Sequence, residues 1–218
     1  MNNGKKVKRT GSLIKLKPEY EERYIILHKH TFPGVLDRIY KSNIRNYSIF
    51  LEDGLLFSYY EYIGKDYESD MAAMADETTQ DWWKLTDPMQ APLFSRKEGE
   101  WWAEMETLQH FDENVKPYNS VRRFAFRSEM KEGSEIFIEE LFKDFDRFIP
   151  YYNSAHIQNH SVFHKDRMIF TYFEYAGTDL MGDSEKVLSH QSVKEWNKEF
   201  DKHISFPWED MKEVFHTD

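Results

Sequence analysis

The sequence contains no cysteine, so disulfide bonds, thiol nucleophiles and thiolate metal ligands are excluded. It has no stretch near the roughly 20 apolar residues that a bilayer span requires, and its N-terminus lacks the apolar segment of a signal peptide. Positive charge is scarce, because 29 Lys and Arg face 39 Asp and Glu, for a net charge of −10. An acidic chain repels phosphate backbones. The composition therefore argues against nucleic acid and membranes as partners and favours a cytoplasmic protein.

Motifs for nucleotides, acyl transfer and metals are missing as well. The sequence has no Gly-rich phosphate loop and no Gly-x-Ser-x-Gly elbow. His28 and His30 come nearest to a metal motif. Residues two apart on a helix do not share a face, however, and no carboxylate lies four residues away to complete a site. The sequence therefore predicts neither a cofactor nor a metal ion.

Aromatic residues, by contrast, are abundant, at 17% of the chain. Most are expected to pack in a core, where buried aromatic rings contribute strongly to stability. Two adjacent pairs have a second interpretation: Trp82-Trp83 in a predicted helix and Trp101-Trp102 in a predicted loop. Neighbours on a helix point about 100° apart, so one indole can pack inward while the other lines an opening. Such rings also stack on the C–H faces of sugars, and core packing remains the alternative.

Two segments of the chain repeat each other. Residues 46–62 and 159–175 lie 113 residues apart, and eight of their seventeen aligned positions are identical. Self-similarity over a domain-sized interval indicates a tandem duplication. The same offset gives five pairs of chemical interest: Tyr24 with Phe137, His28 with Leu141, Tyr47 with His160, Trp82 with Glu195, and Trp83 with Trp196. Since only the last pair is conserved in type, the second copy is predicted to be a structural partner without an active site of its own.

The apolar patterns predict the order β-α-β-β-α-β in each copy. The strongest local signal is Asp53-Gly54 between two apolar runs, which is typical of a β-hairpin. The first copy is predicted to contain a strand over 8–16, helices from Pro18 towards Pro33 and over 35–41, strands over 46–51 and 55–62, a helix over 67–85, and a strand over 104–111. The second copy is predicted to contain strands over 121–128, 158–164, 167–175 and 209–216, and helices over 132–149 and 184–201.

This order is that of the ferredoxin-like fold. Its sheet has one bare face that needs an apolar cover, and a second copy supplies one. The predicted fold class is therefore α+β, with two ferredoxin-like (βαββαβ) repeats packed sheet to sheet as an α+β barrel of the dimeric type within one chain. The predicted domains are 1–112 with a flexible tail over 1–8, a linker over 113–120, and the diverged repeat over 121–218. The chain is thus a pseudo-dimer, and a further homodimer stays open.

Tyr24 and His28 are the residues best suited to acid–base chemistry. They are four apart on a predicted helix and therefore share a face. A histidine beside a tyrosine can move protons near neutral pH. The alternative for His28 is a half-buried structural histidine.

Several motifs of the first copy resemble the L-rhamnose mutarotase family, over residues 8–112. The motifs that carry the resemblance are Lys17-Pro18-Glu19-Tyr20-Glu21-Glu22-Arg23-Tyr24 with His28 and Pro33, Asn46-Tyr47-Ser48-Ile49-Phe50-Leu51, Trp82-Trp83-Lys84-Leu85-Thr86-Asp87-Pro88, and Lys97-Glu98-Gly99-Glu100-Trp101-Trp102 with Met105-Glu106. One departure is Phe32, where the family usually has Trp before the proline. The aromatic character is kept there, but the change could alter which sugar fits.

The resemblance implies a dimeric α+β barrel and the interconversion of sugar anomers without a cofactor. It implies a catalytic proton donor at His28 and substrate contacts from Tyr24, Tyr47, Trp82 and Trp83. The expected ligand is a monosaccharide, most simply L-rhamnose, with L-fucose as an alternative 6-deoxy sugar. Two other functions remain open: a non-catalytic sugar-binding or sensory module, and a monooxygenase of the same barrel superfamily.

Overall fold

The computed structural model describes residues 7–112 and 120–218. Two predictions fall largely elsewhere: most of the flexible tail, at 1–6, and most of the linker, at 113–119, lie outside the described residues. Within the described residues, no helix has the length and hydropathy needed to cross a membrane. The chain divides into two compact units, which are Met1–Met105 with Lys212–Asp218, and Glu106–Met211.

The first unit is an antiparallel sheet with four helices. Its strands are β1 (Lys8–Leu16), β2 (Ile44–Glu52), β3 (Leu55–Tyr62), β4 (Gln90–Ala91) and β5 (Ala103–Glu104), together with residues 212–217 of β10 (Ile204–Thr217). Its helices are α1 (Glu21–Lys29), α2 (Pro33–Lys41), α3 (Tyr67–Met74) and α4 (Glu77–Thr86). The sheet order is β4-β1-β3-β2-β10, with β5 also on β1. The helices pack on this sheet through buried residues such as Val35 and Ile39, one turn apart on α2.

The second unit repeats this plan. Its strands are β6 (Glu106–Phe111), β7 (Arg122–Met130), β8 (Ile157–Lys165) and β9 (Met168–Tyr175), together with residues 204–211 of β10. Its helices are α5 (Glu135–Phe142), α6 (Ile149–Ser154), α7 (Leu180–Ser189) and α8 (Gln191–Phe200). The sheet order is β10-β7-β9-β8-β6. The α+β class and the two ferredoxin-like repeats are thus confirmed.

Local sequence explains the element boundaries. Asp53 and Gly54 both have positive φ, at 47° and 68°, and they join β2 to β3 as the two-residue hairpin turn that the sequence predicts. The single helix predicted over 67–85 is two helices instead. The Asp76 side chain accepts the Thr79 backbone N–H at 2.9 Å and so begins α4 as an N-cap. The helix predicted over 184–201 is likewise divided, at His190, whose backbone is extended.

The last strands of the two repeats change places. Strand β6, which ends the first repeat, pairs with β8 in the second unit. Residues 212–217, which end the second repeat, pair with β2 in the first unit. The exchange preserves one side-chain contact: His216 Nδ1 lies 2.9 Å from Ser48 Oγ, and His110 Nδ1 lies 2.9 Å from Ser161 Oγ. The compact units therefore divide at 105/106 and 211/212.

The positions that are identical in both copies form one buried hydrogen-bond network. In the first unit, Glu61 accepts hydrogen bonds from Asn46 Nδ2 at 3.2 Å and from the Tyr59 hydroxyl at 3.0 Å. Asn46 has φ 49° at an irregularity of β2, a conformation that asparagine tolerates better than most residues. The second unit makes the same bonds, at 2.9 and 3.1 Å, among Asn159, Tyr172 and Glu174. The duplication has therefore kept the architecture of the sheet.

Candidate functional site

Helix α1 places Tyr24 and His28 side by side under the sheet. Both are buried, and their ring centroids lie 3.9 Å apart. His28 Nδ1 is 2.9 Å from the Tyr24 carbonyl oxygen. Since a carbonyl only accepts, Nδ1 must carry the proton, and Nε2 of the neutral ring is left as an acceptor. Within the described part of the chain, Nε2 has no hydrogen-bond partner.

Aromatic rings from other elements surround this imidazole. Trp82 of α4 is buried and meets His28 edge-on, with centroids 5.2 Å apart. Phe215 of β10 meets His28 at 5.8 Å and Tyr47 of β2 at 5.4 Å. Trp83, the other member of its pair, is 37% exposed. The expected division of the pair, with one indole inward and one at an opening, is what the structure shows.

These side chains line a cavity of about 350 Å³ in the first unit. The five residues named in advance all contribute to it: Tyr24, His28, Tyr47, Trp82 and Trp83. The other lining residues are Ile49, Thr86, Asp87, Gln90, Trp101 and Trp102. The volume lies at the small end of the range of ligand pockets, about 300–1,000 Å³. The arrangement suits a molecule of monosaccharide size.

Gln90 is a site residue that the sequence analysis missed. The Trp101 indole N–H donates to Gln90 Oε1 at 2.8 Å. Because indole is only a donor, this bond fixes which end of the amide faces Trp101. The amide nitrogen then faces the Tyr24 hydroxyl oxygen, at 3.4 Å. The Tyr24 oxygen accepts from Gln90, so its own proton is directed elsewhere. Phe215 was missed too, since no local signal assigns a strand from the second repeat to this site.

Burial sets the protonation of the site. Desolvation lowers the pKa of His28 to about 4, against the opposing effect of its hydrogen bond to the Tyr24 backbone. Desolvation raises the pKa of Tyr24 well above 10.0, the neighbouring Tyr47 adds to this, and the Gln90 hydrogen bond opposes it. Burial also raises the pKa of Tyr47 to about 12. At neutral pH the site therefore presents an uncharged imidazole base and two protonated phenols.

The second unit shows that the offset of 113 residues is wrong for the helices. Trp196 meets Phe142 edge-on at 5.2 Å and 80°, as Trp82 meets His28 at 5.2 Å and 76°. The counterpart of His28 is therefore Phe142, and Leu141 is not its equivalent. Helices α1 and α5 begin 114 residues apart, as do α4 and α8, whereas the hairpins keep 113.

The same correction applies to two further pairs. Ile138 is fully buried at the place of Tyr24, whereas Phe137 is 61% exposed. Trp196 takes the place of Trp82, so Glu195 is not the counterpart. The pair Tyr47 and His160 lies in the hairpins and stands. The second unit thus has Phe and Ile where the first has the candidate proton-transfer pair.

Comparisons with known proteins point to one family. A family model described as L-rhamnose mutarotase matches residues 9–111. An L-rhamnose mutarotase from Oceanobacillus iheyensis is 31% identical over 85 residues, which are 38% of this chain and 80% of that protein. This relative therefore matches the first repeat.

Solved structures resemble the chain over almost its whole length. A protein from Fusobacterium nucleatum, provisionally described as a monooxygenase, has a TM-score of 0.59 and 12% identity over 97% of this chain and 94% of that one. A similarly described protein from Lactobacillus acidophilus has a TM-score of 0.59 and 8% identity over 96% and 95%. At such identities the likeness concerns the fold alone.

Proposed function

The chain belongs to the L-rhamnose mutarotase family, and from that premise we propose that its first unit interconverts the α and β anomers of a 6-deoxy sugar, L-rhamnose in the first place. The observation that carries the proposal is the neutral His28 imidazole, whose unpaired Nε2 lies beside buried phenols in an aromatic cavity. Mutarotation needs one group that accepts a proton and one that donates a proton. The site supplies both without a cofactor.

The reaction opens and recloses a hemiacetal. In the opening step, His28 Nε2 takes the proton of the anomeric hydroxyl, the bond between C1 and the ring oxygen breaks, and the ring oxygen takes a proton from the Tyr24 hydroxyl. The aldehyde then rotates about the C1–C2 bond. Reclosure on the other face reverses both transfers, so His28 becomes the proton donor to the anomeric oxygen. A positioned acid–base pair contributes roughly 10² to 10⁴-fold, which suffices for a reaction that water already supports.

Gln90 and the indoles support this chemistry. The Gln90 amide N–H groups face the Tyr24 oxygen, where they would stabilise the negative charge that develops as the phenol gives up its proton. Trp82 forms the buried wall and Trp83 the exposed rim. Such rings suit the C–H face and the methyl group of a 6-deoxy pyranose, because both are apolar.

The direct test is anomer exchange measured by saturation-transfer NMR on L-rhamnose, L-fucose and several hexoses. We expect exchange above the buffer rate, fastest for a 6-deoxy sugar. If folded protein accelerates none of these sugars, the proposal is wrong. If a sugar binds with its exchange rate unchanged, the site is that of a binding module.

The pH dependence follows from the lowered pKa of His28. The active form is the neutral imidazole, and its pKa of about 4 means that it stays neutral over the ordinary range. We expect catalysed kcat/KM, corrected for the buffer reaction, to stay level from pH 7 to about pH 5. It should then fall as His28 is protonated, approaching tenfold per pH unit below about 4. A decline centred near 6.5, the ordinary value for histidine, would contradict this assignment.

A further inference from the structure

The second unit contains a cavity of about 390 Å³. Its position in the repeat matches the candidate site of the first unit. The matching residues, taking 114 for helices and 113 for strands, are Phe142 for His28, His160 for Tyr47, Val162 for Ile49, Trp196 for Trp82, Asn197 for Trp83, Phe200 for Thr86, and Asp201 for Asp87. Duplication has therefore left two cavities, and the second has lost the candidate proton-transfer pair while staying open.

The chemistry of this second cavity is more apolar. Phe142 and Phe200 replace a histidine and a threonine, and further walls come from Phe126, Phe145 and Phe173. An unfilled cavity with such walls is unfavourable, because the lining atoms lose their packing contacts. A ligand with apolar faces would restore those contacts.

The deep polar groups are uncharged. His160 stacks between Phe111 at 5.1 Å and Phe145 at 5.7 Å. Its Nδ1 lies 3.1 Å from Gln109 Oε1, and its Nε2 lies 3.2 Å from Thr171 Oγ1, so both ring nitrogens are already occupied. Burial lowers the pKa of His160 to about 3, and the nearby His110 adds to this. The ring is therefore neutral at physiological pH.

Tyr152 supplies the group that a ligand would meet. Its ring lines the cavity, and burial raises the pKa of its phenol to about 12. Within residues 7–112 and 120–218, its hydroxyl makes no hydrogen bond. A buried polar group without a partner is costly. One oxygen on a ligand would satisfy it.

We propose that the second unit binds a small uncharged ring compound, with apolar faces and one hydroxyl or carbonyl oxygen that pairs with the Tyr152 hydroxyl. A simple phenol is the smallest molecule of this class. A pyranose suits the cavity less well, since it would bring several hydroxyl groups to walls of phenylalanine. The proposal does not depend on the activity of the first unit.

The test uses the full chain and two matched probes, p-cresol and toluene, by calorimetry and ligand-observed NMR. We expect saturable one-to-one binding of p-cresol, with toluene about 2- to 10-fold weaker because it lacks the hydroxyl. Tyr152→Phe should remove most of this difference between the probes. Excess L-rhamnose should not displace p-cresol.

Two substitutions on α7 localise the binding. Ser184→Trp places an indole in the lining of the cavity and should weaken p-cresol binding at least 10-fold. Met181→Trp makes the same addition at a side chain that is 81% exposed and does not line the cavity, and should leave binding unchanged. Circular dichroism confirms that both variants fold. Absent saturation, displacement by L-rhamnose, or equal binding by the Ser184→Trp variant would each overturn the proposal.

Discussion

Replacing His28 by phenylalanine is expected to abolish catalysed anomer exchange while leaving the first unit folded. The second unit already carries this arrangement, since Phe142 packs edge-on against Trp196 as His28 packs against Trp82. Phenylalanine fills the same space but neither accepts nor donates a proton. We expect kcat/KM for exchange to fall by about 10² to 10⁴-fold, as measured by saturation-transfer NMR.

The control is His30→Phe, the same chemical change two residues away. His30 is exposed at the end of α1, so this variant should retain wild-type exchange to within about twofold. Thermal melting followed by circular dichroism verifies that both variants fold. A His28→Phe variant that keeps more than a tenth of the wild-type kcat/KM would remove His28 from the mechanism.

Replacing Glu174 by leucine is expected to produce the largest loss of stability. The Glu174 carboxylate is fully buried. It accepts hydrogen bonds from Gln158 Nε2 at 3.1 Å, from Asn159 Nδ2 at 2.9 Å and from the Tyr172 hydroxyl at 3.1 Å. Leucine takes this shared acceptor away from three buried donors, and each deprived donor costs about 1–3 kcal/mol. We expect the free energy of unfolding of the second unit to fall by about 3–5 kcal/mol.

Urea denaturation followed by circular dichroism measures this change. Glu185→Leu, at an exposed position of α7, is the control and should stay within about 0.5 kcal/mol of wild type. Glu61→Leu makes the equivalent change in the first unit, where Asn46 and Tyr59 would lose their acceptor. If Glu174→Leu changes the unfolding free energy by less than about 1 kcal/mol, the network has no part in holding the sheet.

The features that were predictable from the sequence depend on short spacings. Asp53-Gly54 specifies its hairpin because both residues tolerate positive φ. Tyr24 and His28 could be placed together because four residues make about one helical turn. The prediction that the pair Trp82-Trp83 divides between core and rim rests on the same geometry. In each case the information is contained in a few consecutive residues.

The features that were missed depend on distant parts of the chain. Phe215 reaches the site only because β10 pairs with β2, and no local pattern specifies that pairing. The helix counterparts were misassigned because the identities that set the offset lie in the hairpins, and helices α1 and α5 begin one residue further apart. The tautomer of His28 and its lowered pKa arise from burial and from one carbonyl contact. Sequence spacing contains neither.

The exchange of final strands also governs when the catalytic cavity is completed during protein synthesis. Residues 7–105 supply ten of its aromatic and polar walls well before translation of the second repeat ends, but Phe215, which contacts both His28 and Tyr47, is made much later. A nascent chain that has released only the first repeat from the ribosome has no partner strand for the outer edge of β2. The duplication therefore makes the active half wait for the inactive half, and a cell that makes the first repeat alone would make an incomplete enzyme.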